Sequence, residues 1–163
     1  MENLVLIGMM GCGKSTVGGI LARRLGLELA DTDALVEARV GRAIPEIFAG
    51  EGEAYFREQE RLTARALAAR TGLVIACGGG LPLYPAAMEP LAAGGRVIFL
   101  NRDPGDIYDA VSMAGRPLGQ GGKAAFLERF ALREPVYRQW ADHIITQFSS
   151  PEATADAILE VMK

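Results

Sequence analysis

The chain is expected to form an α/β fold around a five-stranded, largely parallel sheet, on three observations. Short apolar runs alternate with longer helix-like segments along its 163 residues, the pattern that gives parallel sheets covered by helices. The first run, Leu4–Ile7, passes through a glycine-rich turn directly into a helical repeat. Two later runs end on Asp31-Thr32-Asp33 and on Gly78-Gly79-Gly80, at the strand ends where ligands of open α/β sheets collect.

Taken in order, Leu4-Val5-Leu6-Ile7 reads as the first strand, and Val17, Ile20, Leu21 and Leu25 recur at helical spacing after it. Gly26 punctuates the chain, and Leu27-Glu28-Leu29-Ala30 leads into the aspartate pair. A short helix from Ala34 is interrupted by Gly41, and a brief one follows on Ile44-Pro45-Glu46-Ile47-Phe48. Glu53 to Arg70 is strongly helical in composition, with Phe56, Leu62, Ala66 and Leu67 as inward positions. Leu73–Ala76 is the next strand, a proline-punctuated helix holds Met88 and Leu91, and Arg96–Leu100 is a fourth strand. A helix is expected past Asp103-Pro104. The glycine-rich segment from Gly115 to Gly122 has too little apolar content to pack and is expected to be a mobile lid. Helix resumes from Lys123 to Arg133, Pro135 is expected to disturb it, His143–Thr146 is a last strand, and a terminal helix starts at Pro151.

Composition limits the function classes. The length suits one domain over residues 1–163. Net charge is −3, so no global basic field points to nucleic acid or an anionic membrane as partner. No apolar run approaches the ~18 residues of a membrane span, Glu2 stands where a basic leader would begin, and a cytoplasmic location is expected. Cys12 and Cys77 make neither a disulfide framework nor a metal cluster.

The turn Gly8-Met9-Met10-Gly11-Cys12-Gly13-Lys14-Ser15-Thr16 fits a P-loop set between strand and helix. Its glycines let backbone N–H groups close around phosphate oxygens, and the helix N-terminus adds its positive dipole end. Lys14 reaches β- and γ-phosphates and the Ser15 hydroxyl suits Mg²⁺. Asp31 and Asp33, two apart, point the same way along an extended segment; one suits the metal's hydration shell and the other a substrate hydroxyl, with helix capping as their ordinary role. Three glycines at 78–80 suggest close approach to bare backbone. Arg57, Glu60 and Arg61 share a helix face, so Arg57 beside Phe56 suits a two-point grip on a carboxylate as well as an ordinary ion pair. Arg116 and Arg133 are the remaining candidates.

This set of residues resembles the shikimate kinases over nearly the whole chain. The resemblance rests on the Gly8–Gly18 stretch, Asp31-Thr32-Asp33, Glu46-Ile47-Phe48, Gly52-Glu53, Phe56-Arg57 with Glu60, the glycine triplet, Arg116-Pro117-Leu118 and Arg133-Glu134-Pro135-Val136-Tyr137. It implies a three-layer P-loop kinase fold and ATP-dependent phosphorylation of the 3-hydroxyl of shikimate, a step toward aromatic amino acids. Carried over, Gly11, Cys12, Gly13, Lys14, Ser15 and Thr16 hold ATP, and Ser15 with Asp31 holds Mg²⁺. Asp33 holds and activates the hydroxyl. Arg57 and Arg133 grip the carboxylate, Glu60 orients Arg57, and Gly79 and Gly80 meet the ring hydroxyls. Arg116 steadies the phosphates when the lid, about residues 112–123, closes over the loop at 8–16 and substrate-binding helices at about 33–61. The partners implied are small molecules, and a monomer is expected.

Two positions depart from the family pattern. Asp106-Ile107-Tyr108-Asp109-Ala110 stands where members often carry an adenine-stacking arginine, so weaker ATP affinity is expected. Arg116-Pro117-Leu118-Gly119 lacks a usual second leucine, so closure is expected to be looser. Cys12, in the phosphate loop, is expected to be open to alkylation with loss of activity. The rival readings are a gluconate-type or nucleotide kinase of the same fold, and a P-loop protein that senses nucleotide without chemistry.

Overall fold

The architecture is set by strand β1 (Asn3–Ile7), whose five residues are all buried. A run apolar on both faces belongs at the centre of a parallel sheet, and β1 sits there. In the computed structural model, which describes residues 2–113 and 121–163, it lies between β3 (Leu73–Ala76) and β4 (Gly95–Leu100). The sheet order is β2-β3-β1-β4-β5, with β2 at Glu28–Asp31 and β5 at His143–Ile145. Every pairing is parallel, with Val5 opposite Ile75 on one side and Val97 on the other. The five expected strands are thus found.

Helix α1 (Lys14–Leu25) packs with α8 (Pro151–Val161) on one side of the sheet. Helices α4 (Glu53–Ala68), α5 (Pro85–Ala93) and α7 (Gly122–Trp140) form the other layer. The main core runs through Leu4, Leu6, Ile75, Val97 and Phe99. A separate apolar cluster, Val36, Ile47 and Phe56, joins α2 (Thr32–Val40), α3 (Ile44–Glu51) and α4 into a subassembly beside the carboxyl ends of β2 and β3. Glu37 of α2 accepts a hydrogen bond from the Ile44 amide at 2.9 Å and so caps α3. Helix α6 (Pro104–Met113) packs against α7.

Three details differ from expectation. In α4 the inward stripe is Phe56, Glu60, Thr63, Ala64 and Leu67; Ala66 is exposed and Leu62 only half-buried. The spacing of four, three and one keeps a single face, and that face includes a carboxylate because Glu60 has an ion partner. Helix α7 does not stop at Pro135 but continues to Trp140. Side chains beyond the proline hold it down: the Trp140 indole donates to the Pro82 carbonyl at 2.9 Å and the Tyr137 hydroxyl to that of Gly79 at 2.6 Å. Finally, α2 begins at Thr32, so Asp31 caps the helix while Asp33 lies in its first turn, and the two are not on one extended segment, although both line one cleft.

Candidate active site

The P-loop glycines are needed for their conformation. Gly8, Gly11 and Gly13 have φ of 150°, 84° and 99°, values that residues with a Cβ rarely adopt. Gly13 caps α1 without any side-chain hydrogen bond, leaving the first amides of the helix free to meet an anion. The Lys14 ammonium bridges the Gly8 and Met9 carbonyls, at 2.8 Å each. Cys12 is only 2% exposed, and its sulfur packs under Gly8. Ready alkylation is therefore not expected of it, against the reading from sequence. Cys77 is equally buried, and burial pushes its thiol pKa up.

Asp31 both caps α2, accepting from the Ala34 amide at 3.1 Å, and accepts from the Ser15 hydroxyl at 2.6 Å. Among the described residues no group of three or more acidic, His or Cys side chains forms a metal cage. A hydroxyl and a carboxylate side by side in a phosphate cleft nonetheless fit Mg²⁺, which prefers a few hard oxygen ligands and keeps its waters.

Asp33 has no such capping role. It faces Gly78 so closely that a Cβ there would come within 2.4 Å of its Oδ1. Burial and the neighbouring Asp31 raise its pKa, with Lys14 and Arg57 pulling the other way. The Gly78 amide in turn donates to the fully buried Thr32 hydroxyl at 2.8 Å.

The other two glycines of the triplet serve the same purpose. A Cβ on Gly79 would meet Arg133 at 3.3 Å and the Met10 amide at 3.4 Å; one on Gly80 would meet the Arg57 guanidinium at 2.7 Å. None of the three has positive φ. They are required for space, not for backbone freedom.

Arg57 donates to Glu60 at 2.8 Å and lies 3.6 Å from Glu53. Its guanidinium stacks over the Tyr84 ring at 4.4 Å and beside Phe56 at 5.1 Å. Burial pulls its pKa down, but the hydrogen bond and charge of Glu60 outweigh this and raise it. Glu60, 1% exposed, is pushed up by burial, and Arg57 opposes the shift. Tyr137 donates to Gly79 one helical turn beyond Arg133; burial raises its phenol to about 12, so it remains a donor.

These residues surround two joined clefts. One, of about 610 Å³, is lined by the P-loop, Ser15, Asp31 and the start of the glycine triplet. The other, of about 150 Å³, is lined by Arg57, Glu60, Arg133, Phe48 and Phe56. Met10, Asp33, Ile44, Gly78 and Gly79 border both. Arg116 and most of the expected lid lie outside the described residues. The Asp106–Ala110 region is described: Asp109 pairs with Lys123 at 2.9 Å, tying α6 to α7. His143 sits on the edge strand β5, away from both clefts. The reading from sequence gave no role to Thr32, Tyr84 or Tyr137, none of which carried a local signal, and it held Gly78 only as the first of the triplet.

A phosphate cradle joined to a two-arginine pocket is the arrangement expected of a small-acid kinase, and known proteins agree. The family model described as shikimate kinase matches residues 10–163. A shikimate kinase of Pseudomonas aeruginosa is 40% identical over 167 aligned residues, covering 100% of this chain and 97% of its own. One from Thiobacillus denitrificans is 42% identical over 144 residues, covering 86% and 79%. The structure of a shikimate kinase from Acinetobacter baumannii in complex with shikimate superposes with a TM-score of 0.90 at 34% identity, covering 99% of this chain and 93% of that one. Sequence, fold and cleft thus converge, and the chain belongs to the shikimate kinase family.

Proposed function

We propose that this chain transfers the γ-phosphoryl group of ATP to the 3-hydroxyl of shikimate. The observation that carries this reading is the position of Asp33, on the border between the P-loop cleft and the Arg57–Arg133 cleft. A hydroxyl held there has a phosphate site on one side and a carboxylate-binding pair on the other.

In this mechanism the free amides at the start of α1 and Lys14 hold the triphosphate. Ser15 and Asp31 would hold Mg²⁺, which neutralises charge on the phosphate oxygens. Arg57, fixed by Glu60, and Arg133 bind the substrate carboxylate, and Gly79 and Gly80 leave room for the ring. Asp33 accepts the proton of the attacking hydroxyl. That oxygen forms the new bond to γ-phosphorus as the bond to the bridging oxygen of ADP breaks. Phosphoryl transfer asks mainly for positioning and charge stabilisation, so no covalent nucleophile is required. Arg116, outside the described residues, is assigned to the phosphates by family resemblance.

Sugars without a carboxylate would leave the two arginines unused, and a pure nucleotide sensor would have no need of them. The test is ADP release with a panel of hydroxy acids, the phosphorylated carbon being assigned by NMR. Turnover with shikimate at least ~100-fold above water, roughly 3 kcal/mol of barrier, supports the proposal. Equal rates across the panel refute it.

A further inference from the structure

We propose that Tyr84 is a positioning residue for the acceptor: its ring is the platform that fixes the carboxylate-binding face of Arg57. The inference rests on the function proposed above. Three of the groups around the guanidinium come from its own helix. Glu60 takes one end at 2.8 Å, Glu53 stands 3.6 Å from the other, and the Phe56 ring centroid lies 5.1 Å from the guanidinium carbon. All three lie within about a turn of Arg57, so they constrain its reach along α4, and the nearest ring that can set the tilt of its plane belongs to another element. Tyr84 supplies that constraint from the start of α5, with its ring centroid 4.4 Å from the guanidinium carbon, nearer than that of Phe56.

The ring is itself firmly placed. Tyr84 closes the short 3₁₀ turn Leu81–Leu83 and opens α5. Its amide donates to Leu81 and its carbonyl accepts from Ala87 and Met88, each at 3.0 Å. The adjoining Pro82 carbonyl is held by Trp140. On the other side Gly80 gives way to the guanidinium, since a Cβ there would sit 2.7 Å from it. Arg57 Nε is buried without a hydrogen-bond partner, so the cation relies on Glu60 and the aromatic face rather than on a full set of acceptors.

The contact is with the face of the ring, so Tyr84→Phe should keep the wild-type KM for shikimate, whereas Tyr84→Leu should raise it about five- to tenfold. The KM for ATP should stay within twofold. The discriminating measurement uses an acceptor whose carboxylate is replaced by a neutral carboxamide. With that acceptor Tyr84→Leu and wild type should have the same KM, because the grip that Tyr84 sets is not used.

A penalty that persists with the carboxamide, a loss in Tyr84→Phe as large as in Tyr84→Leu, or a wild-type KM in Tyr84→Leu each overturns the inference. If Tyr84→Leu does not fold, Tyr84→Met serves under the same criteria. Failure of the function itself is distinct, since wild type would then not turn over shikimate at all.

Discussion

Asp33 carries two burdens that pull apart. Its carboxyl is held among Asp31, Glu37 and buried backbone, and its pKa lies above the ordinary 3.8. In its proposed role as proton acceptor it must be ionised, so activity should fall as pH drops through that raised value. The acidic limb of the kcat/KM profile, which reports the free enzyme, should therefore lie above pH 3.8, and a limb at or below it would refute the assignment. Asp33→Asn should lower kcat at least ~100-fold while the Kd for ATP, measured by calorimetry, stays within twofold. The stability sign is opposite to that of a salt-bridged acid. The folded state binds this proton more readily than the unfolded chain, so stability falls as pH rises from 3.8 through the raised value and stays reduced above it. Asp33→Asn should therefore melt higher than wild type at pH 7, with the difference vanishing below pH 3.8.

At the scale of elements, the two glycine-rich segments solve different problems. The P-loop needs positive φ at Gly8, Gly11 and Gly13, and the triplet needs empty space at Gly78, Gly79 and Gly80. Gly80→Ala should crowd Arg57 and raise the KM for shikimate about tenfold, the size of weakening one hydrogen bond to a charged group; an unchanged value would mean that Arg57 does not grip the acid. Helix α4 offers a second test. Glu60→Ala strands a partly buried guanidinium, and urea unfolding should show a loss of about 3 kcal/mol. The P-loop was legible in the sequence because its amides and lysine are neighbours in the chain. Asp31 and Asp33 were legible as unusual residues at a strand end, though not their split between a helix cap and a first helical turn, which follows from α2 starting at Thr32. Thr32, Tyr84 and Tyr137 were not legible. Each acts on a residue at least 27 positions away, on Gly78, Arg57 and Gly79 respectively, and no local periodicity encodes such a meeting. Glu60 was legible as Arg57's partner but not as a core residue, because a charged side chain is expected to face water.

For the whole molecule, one feature of the topology governs how the site is completed. Strands β1, β2 and β3 deliver the P-loop, Asp31 and the glycine triplet to one end of the sheet. Helices α4 and α7 bring Arg57 and Arg133 to that same end, so one chain carries, among its described residues, the positions that the proposed function assigns to phosphate, metal, hydroxyl and carboxylate. On that proposal those positions need no second subunit. Turnover per chain should accordingly be constant over a thousandfold dilution, and sedimentation should give a species near 17.4 kDa throughout. Binding should also consolidate the fold, because the ligands tie the α2–α4 subassembly and α7 to the P-loop. ATP at 100 times its Kd should add about 2.7 kcal/mol of stability, and shikimate at the same multiple a similar increment. For a chain of this size that corresponds to roughly 5–10 °C in Tm for each ligand. If activity per chain fell on dilution while these shifts persisted, a partner subunit would be completing the catalytic step rather than the binding sites.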